Sequence, residues 1–343
     1  MSGEDGPAAP GADPKDPPKT PQDPLKAPLC LRKMDLSDVA GHLAEHRFFW
    51  LDLDGPSEAE LQQLGQLLNL HPLTIEDVST FSERPKREHY DGYVSLVVYG
   101  VDAAVSAGEP ILREVHLLIS HNYVVTLHPT KFDVLDALRA RLLSQGVSDE
   151  HTLIYWILDA VIGTFVPVLS RIDDDIDVIE QSVIEQPREE SLRRIFSLKR
   201  DLIAMRRVVT PMRDFFARDA DEITHLPGME SEYQLYFRDM YDSLIRTSDL
   251  IDSYRDLLSG ATDMYLSTVA NRQGEISKQL TIIATIFLPL SFLTGFFGQN
   301  FAFLTNHILN HTWTFFVLGL GLLVVSIGIL WVFFRRRGWL APD

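Results

Sequence analysis

The sequence predicts an α+β membrane protein with a cytosolic α/β domain, a long stalk helix and two transmembrane helices. Three features carry that prediction. Strand-like runs rich in aromatic and branched residues fall between residues 30 and 130, and the strand signal stops at Asp133. No proline interrupts the chain from Gly228 to Leu288, where Leu244, Ile251, Leu258 and Tyr265 recur every seven residues. Finally, the 56 residues from Gln279 to Phe334 contain no Asp, Glu, Lys or Arg.

At 343 residues the chain is long enough for about two or three domains. Its mean hydropathy of +0.00 hides an uneven distribution. Ahead of Gln279 there are 47 acidic and 28 basic residues; after Phe334 come Arg335, Arg336 and Arg337 against Asp343. The formal net charge of −17 argues against nucleic acid as a partner, because phosphate binding needs clustered Lys and Arg. It is compatible with cation handling. The single cysteine, Cys30, excludes an internal disulfide and any zinc site built from paired cysteines.

Residues 1–28 hold eight of the nineteen prolines and no long apolar run, which reads as a disordered tail and not a signal peptide. Residues 29–150 are expected to form the α/β domain. Strands are expected at Arg47–Leu53, Tyr93–Tyr99, Val115–Ile119 and Tyr123–Leu127, the last two joined by a hairpin turn at His121-Asn122. Between them, Ser57 to Leu70 places Leu61, Leu64, Leu67 and Leu68 on one helical face.

Residues 151–226 read as an antiparallel pair of helices, 151–185 and 188–222, separated by Pro187. The first carries Asp173, Asp174, Asp175 and Asp177; the second carries Arg193, Arg194, Lys199 and Arg200. Opposed faces of this kind form ion pairs, each contributing about 0–1 kcal/mol when exposed. Residues 227–279 are expected to be a stalk helix packed against copies of itself.

The charge-free stretch exceeds the ~20 residues that one crossing needs. It divides into a first span at 280–298, an external loop at 299–311 and a second span at 312–334. Residues 335–343 form a basic tail. That tail marks a cytosolic end and the loop has no Lys or Arg, so both termini are expected in the cytosol and the protein in the cell inner membrane.

Leu280 to Phe301 reads LTIIATIFLPLSFLTGFFGQNF. This segment resembles the first transmembrane helix of the CorA family of divalent metal-ion transporters. Further matches follow in order along the chain: His71 to Asp77 (HPLTIED), Arg84-Pro85-Lys86, Ile172 to Asp177 (IDDDID), Tyr236 to Asp239 (YFRD), and the basic cluster before Trp339-Leu340. The resemblance implies a homopentameric funnel in the lipid bilayer, an α/β/α cytosolic domain, and a pore lined by the first span. It implies no prosthetic group; a divalent cation is both substrate and regulator. Two departures stand out. The family's Gly-Met-Asn signature is Gly298-Gln299-Asn300 here, and the following loop carries His307 and His311 where acids are common.

Within this frame Gly274, Ser277, Thr281, Ala284, Leu288, Ser291, Gly295 and Gly298 form one small, polar stripe at helical spacing. The stripe lines a pore or packs helix on helix, and copies about one axis would do both. Leu280 and Leu288 are candidate apolar constrictions. Neutral oxygens can hold the waters of a hydrated cation that dehydrates reluctantly, as Mg²⁺ does, without trapping it. The proposed filter is therefore Gly298, Gln299 and Asn300, with Asn300 alternatively a cap on the helix end. Pro289 leaves the Thr285 carbonyl without a helical donor.

Asp239 lies in the segment resembling the family's intersubunit regulatory metal site, with Asp102 as candidate partner; both are alternatively solvated surface. His307 and His311, four apart, either bind Zn²⁺ or are plain polar residues. Two function readings lie within the family, a Mg²⁺ transporter that also passes Co²⁺ or Ni²⁺, and a ZntB-like Zn²⁺ transporter coupled to protons. Outside it stands a two-span membrane sensor, although the sequence carries no kinase, cyclase or phosphate-cradling motif. No enzymatic nucleophile–base pattern is visible.

Overall fold

The computed structural model describes residues 36–102, 110–145, 150–218, 234–299, 306–307, 312–337 and 339. The chain divides into two compact units. One comprises residues up to Gln181 together with Glu190–Gly260, and the other Ser182–Glu189 with Ala261 onward.

The first unit opens with α1 (Leu36–Ala44), β1 (Phe49–Asp54), α2 (Glu58–Leu68), α3 (Pro72–Thr80), β2 (Lys86–Tyr90), β3 (Tyr93–Asp102), β4 (Ile111–Ile119) and β5 (Tyr123–His128). The sheet order is β1-β5-β4-β3-β2, with β1 parallel to β5 and every other pairing antiparallel. β5 is buried along its whole length, and its apolar Tyr-Val-Val run suits a central strand covered on both faces. On one face Phe49, Leu51, Leu118, Val125 and Leu127 pack with Leu36, Val39, Leu61, Leu64 and Val78 from α1–α3. The hairpin forms where His121-Asn122 places it, with Ser120 N–H donating to the Tyr123 carbonyl (2.9 Å).

Local chemistry starts α2 and α3. Ser57 and Glu60 form a reciprocal capping box on α2. His71 caps α3, its Nδ1 accepting from Leu73 N–H (3.2 Å), and Pro72 fills the first turn where no donor is needed. The Tyr93 hydroxyl then accepts from His71 N–H (3.0 Å) and bonds Thr74 (2.7 Å). The HPLT tetrapeptide is thus a helix start bolted to β3.

The sequence gives no hint of β2, Lys-Arg-Glu-His-Tyr, because its residues are polar or charged. It forms at the sheet edge, where such residues blunt further strand pairing.

α4 (Asp133–Gln145), α5 (Glu150–Gly163), α6 (Phe165–Glu185) and α7 (Glu189–Arg218) follow. The single helix expected over 151–185 is divided at Thr164. There the hydroxyl donates to the Val161 carbonyl (2.6 Å) and accepts from Val101 N–H of β3 (2.7 Å). Thr164 thus replaces a helical contact with a bond to the sheet, and β3 comes close enough that Gly100 has no room for a side chain. A Cβ there would lie 2.8 Å from the Phe132 ring and 2.9 Å from the Val161 carbonyl. α6 buries Ile172, Ile176 and Ile179; α7 buries Ile195, Leu198, Leu202 and Met205. Asp175 pairs with Arg194 (2.5 Å), the acidic-to-basic match that the two compositions suggest.

α8 (Gln234–Phe297) is one helix of 64 residues, about 96 Å at 1.5 Å per residue. In the first unit it buries Phe237, Met240, Leu244, Ile251 and Leu258 and pairs Asp252 with Arg206 of α7 (3.0 Å). In the second unit Arg272 donates to the Glu185 carbonyl (2.8 Å). The apolar length of α8 is long enough to cross a membrane, and its most apolar window has none of its residues buried. The second apolar stretch is helical from Thr312 to Arg336. It contains an α-helical turn at Thr312–Thr314, a π-helical segment at Phe315–Gly321 and α9 (Leu322–Arg336). The other long apolar helical stretch, His151–Glu185, is 67% buried in its apolar window and belongs to the core.

Candidate functional site

The small, polar stripe lies on a single uninterrupted helix. Gly274, Ser277, Thr281, Ala284, Leu288, Ser291 and Gly295 are all exposed residues of α8, with Leu280 (62% exposed) and Leu288 (70%) beside them. A Cβ at Gly274 or Gly295 would touch nothing within 4 Å. From Thr281 onward the far side of the helix, Ile282, Ile286, Leu290, Leu293 and Phe297, is half-buried. The small, polar face of this one chain therefore differs from the far face in chemistry and is also the more exposed.

Hydroxyl geometry gives the stripe a direction. Thr281 donates to the Ser277 carbonyl (2.8 Å), and Thr285 to the Thr281 carbonyl (2.7 Å). Their protons are committed to the backbone, so the oxygens offer lone pairs outward. Such oxygens accept hydrogen bonds from the waters of a hydrated cation. Pro289 sits inside the helix and supplies no N–H to the Thr285 carbonyl, adding another acceptor at that level.

α8 ends at the signature. Gly298 N–H donates to the Thr294 carbonyl (2.9 Å) and Gln299 N–H to the Phe296 carbonyl (3.3 Å), so these two terminal acceptors are satisfied by the backbone itself. A Cβ on Gly298 would lie 3.0 Å from the Thr294 carbonyl, which favours glycine at this turn. Gln299 is exposed, and Asn300 lies outside the described residues. His307 is exposed, and His311 also lies outside the described residues.

Both regulatory candidates belong to the first unit and both carry partners. Asp102 ends β3, and its Oδ2 accepts from Arg113 Nη2 of β4 (2.8 Å); Arg113 also donates to the Thr130 hydroxyl. A cation at Asp102 would have to compete with that guanidinium. Asp239, half-buried on α8, accepts from the Tyr155 hydroxyl at 3.5 Å. Among the described residues no group of three or more His, Cys, Asp or Glu side chains is placed to hold a metal ion. A metal at either aspartate therefore needs ligands beyond those that the described residues gather.

Sequence reasoning missed Arg113 and Tyr155, because each reaches its aspartate only through strand register or helix packing. It also missed two polar clusters. Lys86 meets Asp77 (2.7 Å), Glu83 (3.1 Å) and Glu88 (3.5 Å). Burial opposes its charge, but the hydrogen bonds and charges of these carboxylates win and raise its pKa.

The second cluster is buried beside β1 and β5. Asp52 Oδ1 accepts from the Thr126 hydroxyl (2.5 Å) and meets His128 Nε2 (3.1 Å), while Arg139 lies 3.6 Å from Oδ2 and stacks on Trp50. Burial would raise the Asp52 pKa, but His128, Thr126 and Arg139 together lower it. Burial would likewise lower that of His128, yet Asp52, the Thr130 carbonyl and Asp54 raise it.

Residues 45–336 match the family described as "CorA-like Mg2+ transporter protein". The chain is 33% identical over 296 residues to the cobalt/magnesium transport protein CorA of Thermotoga maritima, covering 85% of this chain and 83% of that one. It is 23% identical over 295 residues to the zinc transport protein ZntB of Pectobacterium atrosepticum, covering 85% of this chain and 88% of that one. The fold matches the complete structure of the CorA magnesium transporter of Methanocaldococcus jannaschii with a TM-score of 0.74. That match covers 85% of this chain and 91% of that one at 23% identity. The long helix, the edge-charged α/β sheet and the paired apolar stretches thus come with a match to most of the sequence, and the chain belongs to the CorA-like Mg²⁺ transporter family, whose members are membrane transporters and not enzymes.

Proposed function

We propose that this chain forms a homopentameric, channel-like transporter of divalent cations in the cell inner membrane, passing Mg²⁺ and also Co²⁺ or Ni²⁺. One observation carries the reading. A single helix, Gln234–Phe297, joins the α/β unit to the apolar stretch and ends on Gly298-Gln299, presenting oxygen acceptors and small residues along one face.

In this reading the first span covers 280–298, the external loop 299–311 and the second span 312–334, with both termini in the cytosol. Five copies of the stripe from Gly274 to Gly298 line the path, and Leu280 and Leu288 close it by excluding water. The ion enters hydrated. Gly298 carbonyls and the amides of Gln299 and Asn300 bond its waters, which suits a small hard cation that loses them reluctantly. Gln299 enlarges that ring of neutral acceptors.

Regulation is assigned to cytosolic metal binding at Asp239, with Asp102 of a neighbouring subunit releasing Arg113 to join it. Neutralised carboxylates hold the stalks closed, and loss of the metal lets their repulsion open them.

The ZntB relative favours a second reading, proton-coupled Zn²⁺ transport with His307 and His311 at the mouth. The stripe contains no His or Cys, the ligands zinc prefers, and this weighs towards Mg²⁺.

Liposomes holding separate Mg²⁺ and Zn²⁺ reporters, with and without a pH gradient, distinguish the two. Gradient-independent Mg²⁺ uptake that Asn300→Ala makes unselective supports the first; a Zn²⁺ signal that needs the proton gradient, with no Mg²⁺ signal, establishes the second. Asp239→Ala is expected to weaken inhibition by internal Mg²⁺, and unchanged inhibition would remove it from the sensor.

A further inference from the structure

The C-terminal end of α9 carries a feature to which the proposed transport route gives no role. Arg335, Arg336 and Arg337 are consecutive and exposed, and among the described residues none of them pairs with a carboxylate. Two are held in place by aromatic rings of the same helix. The Arg335 guanidinium lies 5.1 Å from the Trp331 ring centroid, and that of Arg337 lies 5.0 Å from the Phe333 centroid. Both rings are themselves exposed, Trp331 at 51% and Phe333 at 47%.

Just beyond, the chain folds back. Trp339 N–H donates to the Phe334 carbonyl (3.0 Å), and the Trp339 ring stacks on Phe334 at 5.7 Å, leaving Phe334 only 2% exposed. The result is a collar of Trp331, Phe333, Phe334 and Trp339 interleaved with three positive charges, two of them stacked on its rings.

We propose that this collar is a binding site for the phosphate groups of anionic lipid headgroups. Tryptophan is enriched at the level where hydrocarbon meets headgroup, so its presence on both sides of the triplet sets the depth of the arginines. Stacking on Trp331 and Phe333 turns two guanidiniums back along the helix and restrains them, which lowers the ordering cost of binding. A guanidinium presents a planar fork of donors that matches phosphate oxygens two at a time.

The remainder of the chain has an acidic surplus and is repelled by an anionic surface, so attraction at this collar is local and not general adsorption. Arginines at a helix C-terminus also complement the helix dipole, but that role is indifferent to lipid charge. The proposal rests on α9 crossing the membrane.

The test uses the full chain in phosphatidylcholine liposomes with trace spin-labelled phosphatidylglycerol or spin-labelled phosphatidylcholine. The relative association of each lipid is read from the motionally restricted part of its spectrum. The wild-type protein is expected to prefer phosphatidylglycerol, by up to about five-fold per engaged arginine. Raising the salt concentration is expected to reduce this preference.

Changing all three arginines to Gln is expected to bring the preference to parity. Replacement by Lys, which keeps the charge and loses the planar stack, is expected to leave it intermediate. Millimolar inorganic phosphate is expected to change nothing; abolition of the preference by phosphate would overturn the lipid assignment in favour of a free-anion site. An equal preference in the wild type and the Gln variant overturns the proposal while leaving the span intact. Absence of any restricted lipid overturns the span itself.

Discussion

At the scale of single residues, the buried Asp52–His128 pair makes the clearest pH prediction. The folded pKa of Asp52 is depressed below its ordinary 3.8, so its contribution is present above that value and lost as pH falls through the lower one. His128 is raised above 6.5, so its contribution is complete below 6.5 and lost as pH rises through the elevated value. Thermal unfolding of the full chain in detergent is therefore expected to show a midpoint that declines as pH climbs from 6 to 8.5. His128→Gln keeps a hydrogen-bonding side chain and is expected to flatten that decline. An equally steep decline in the variant would show that the alkaline loss arises elsewhere.

The aspartates proposed for metal regulation teach a related lesson. Acidity at 102 and 239 is plain in the sequence, but Arg113 on the first and Tyr155 on the second are not. Arg113 faces Asp102 only because β4 pairs with β3 in the register that sets Asp102 opposite Ile111.

At the scale of elements, composition reveals some pieces and hides others for identifiable reasons. β1, β3, β4 and β5 stand out because buried strands need branched and aromatic side chains. β2 does not, because an edge strand can be stabilised by its ion pairs and Lys86 meets three carboxylates. The division between α5 and α6 is equally hidden. Gly163 precedes the break and Pro167 follows it in the first turn of α6, but their position is fixed only by the bond between Val101 N–H and Thr164.

That junction has its own test. Gly100→Ala would place a methyl group 2.8 Å from the Phe132 ring and 2.9 Å from a backbone carbonyl, an overpacking that costs about 1–3 kcal/mol. A lower urea midpoint with unchanged slope is expected. A midpoint equal to wild type would show that β3 and α5 are not held together so tightly.

At the scale of the molecule, a charge-free stretch too long for one crossing and a proline-free heptad region before it made the membrane architecture readable. The proposed mouth was readable only as three letters, Gly298-Gln299-Asn300. Of these, the structure describes the turn at Gly298 and Gln299. What the stripe faces was not readable, since small residues serve lipid-buried helix contacts and water-filled paths alike.

The central claim is that identical chains turn this stripe towards a shared aqueous axis. It is tested most directly by single cysteines in a Cys30→Ser background, Ser291→Cys on the stripe and Leu293→Cys on the far side of the same helix. Each is exposed to a charged, membrane-impermeant thiol reagent while Mg²⁺ uptake into liposomes is followed. The reagent is expected to block uptake through Ser291→Cys and to leave Leu293→Cys unaffected. Block through Leu293→Cys with Ser291→Cys untouched would mean that the opposite face borders the path, and the proposed transport route would be wrong.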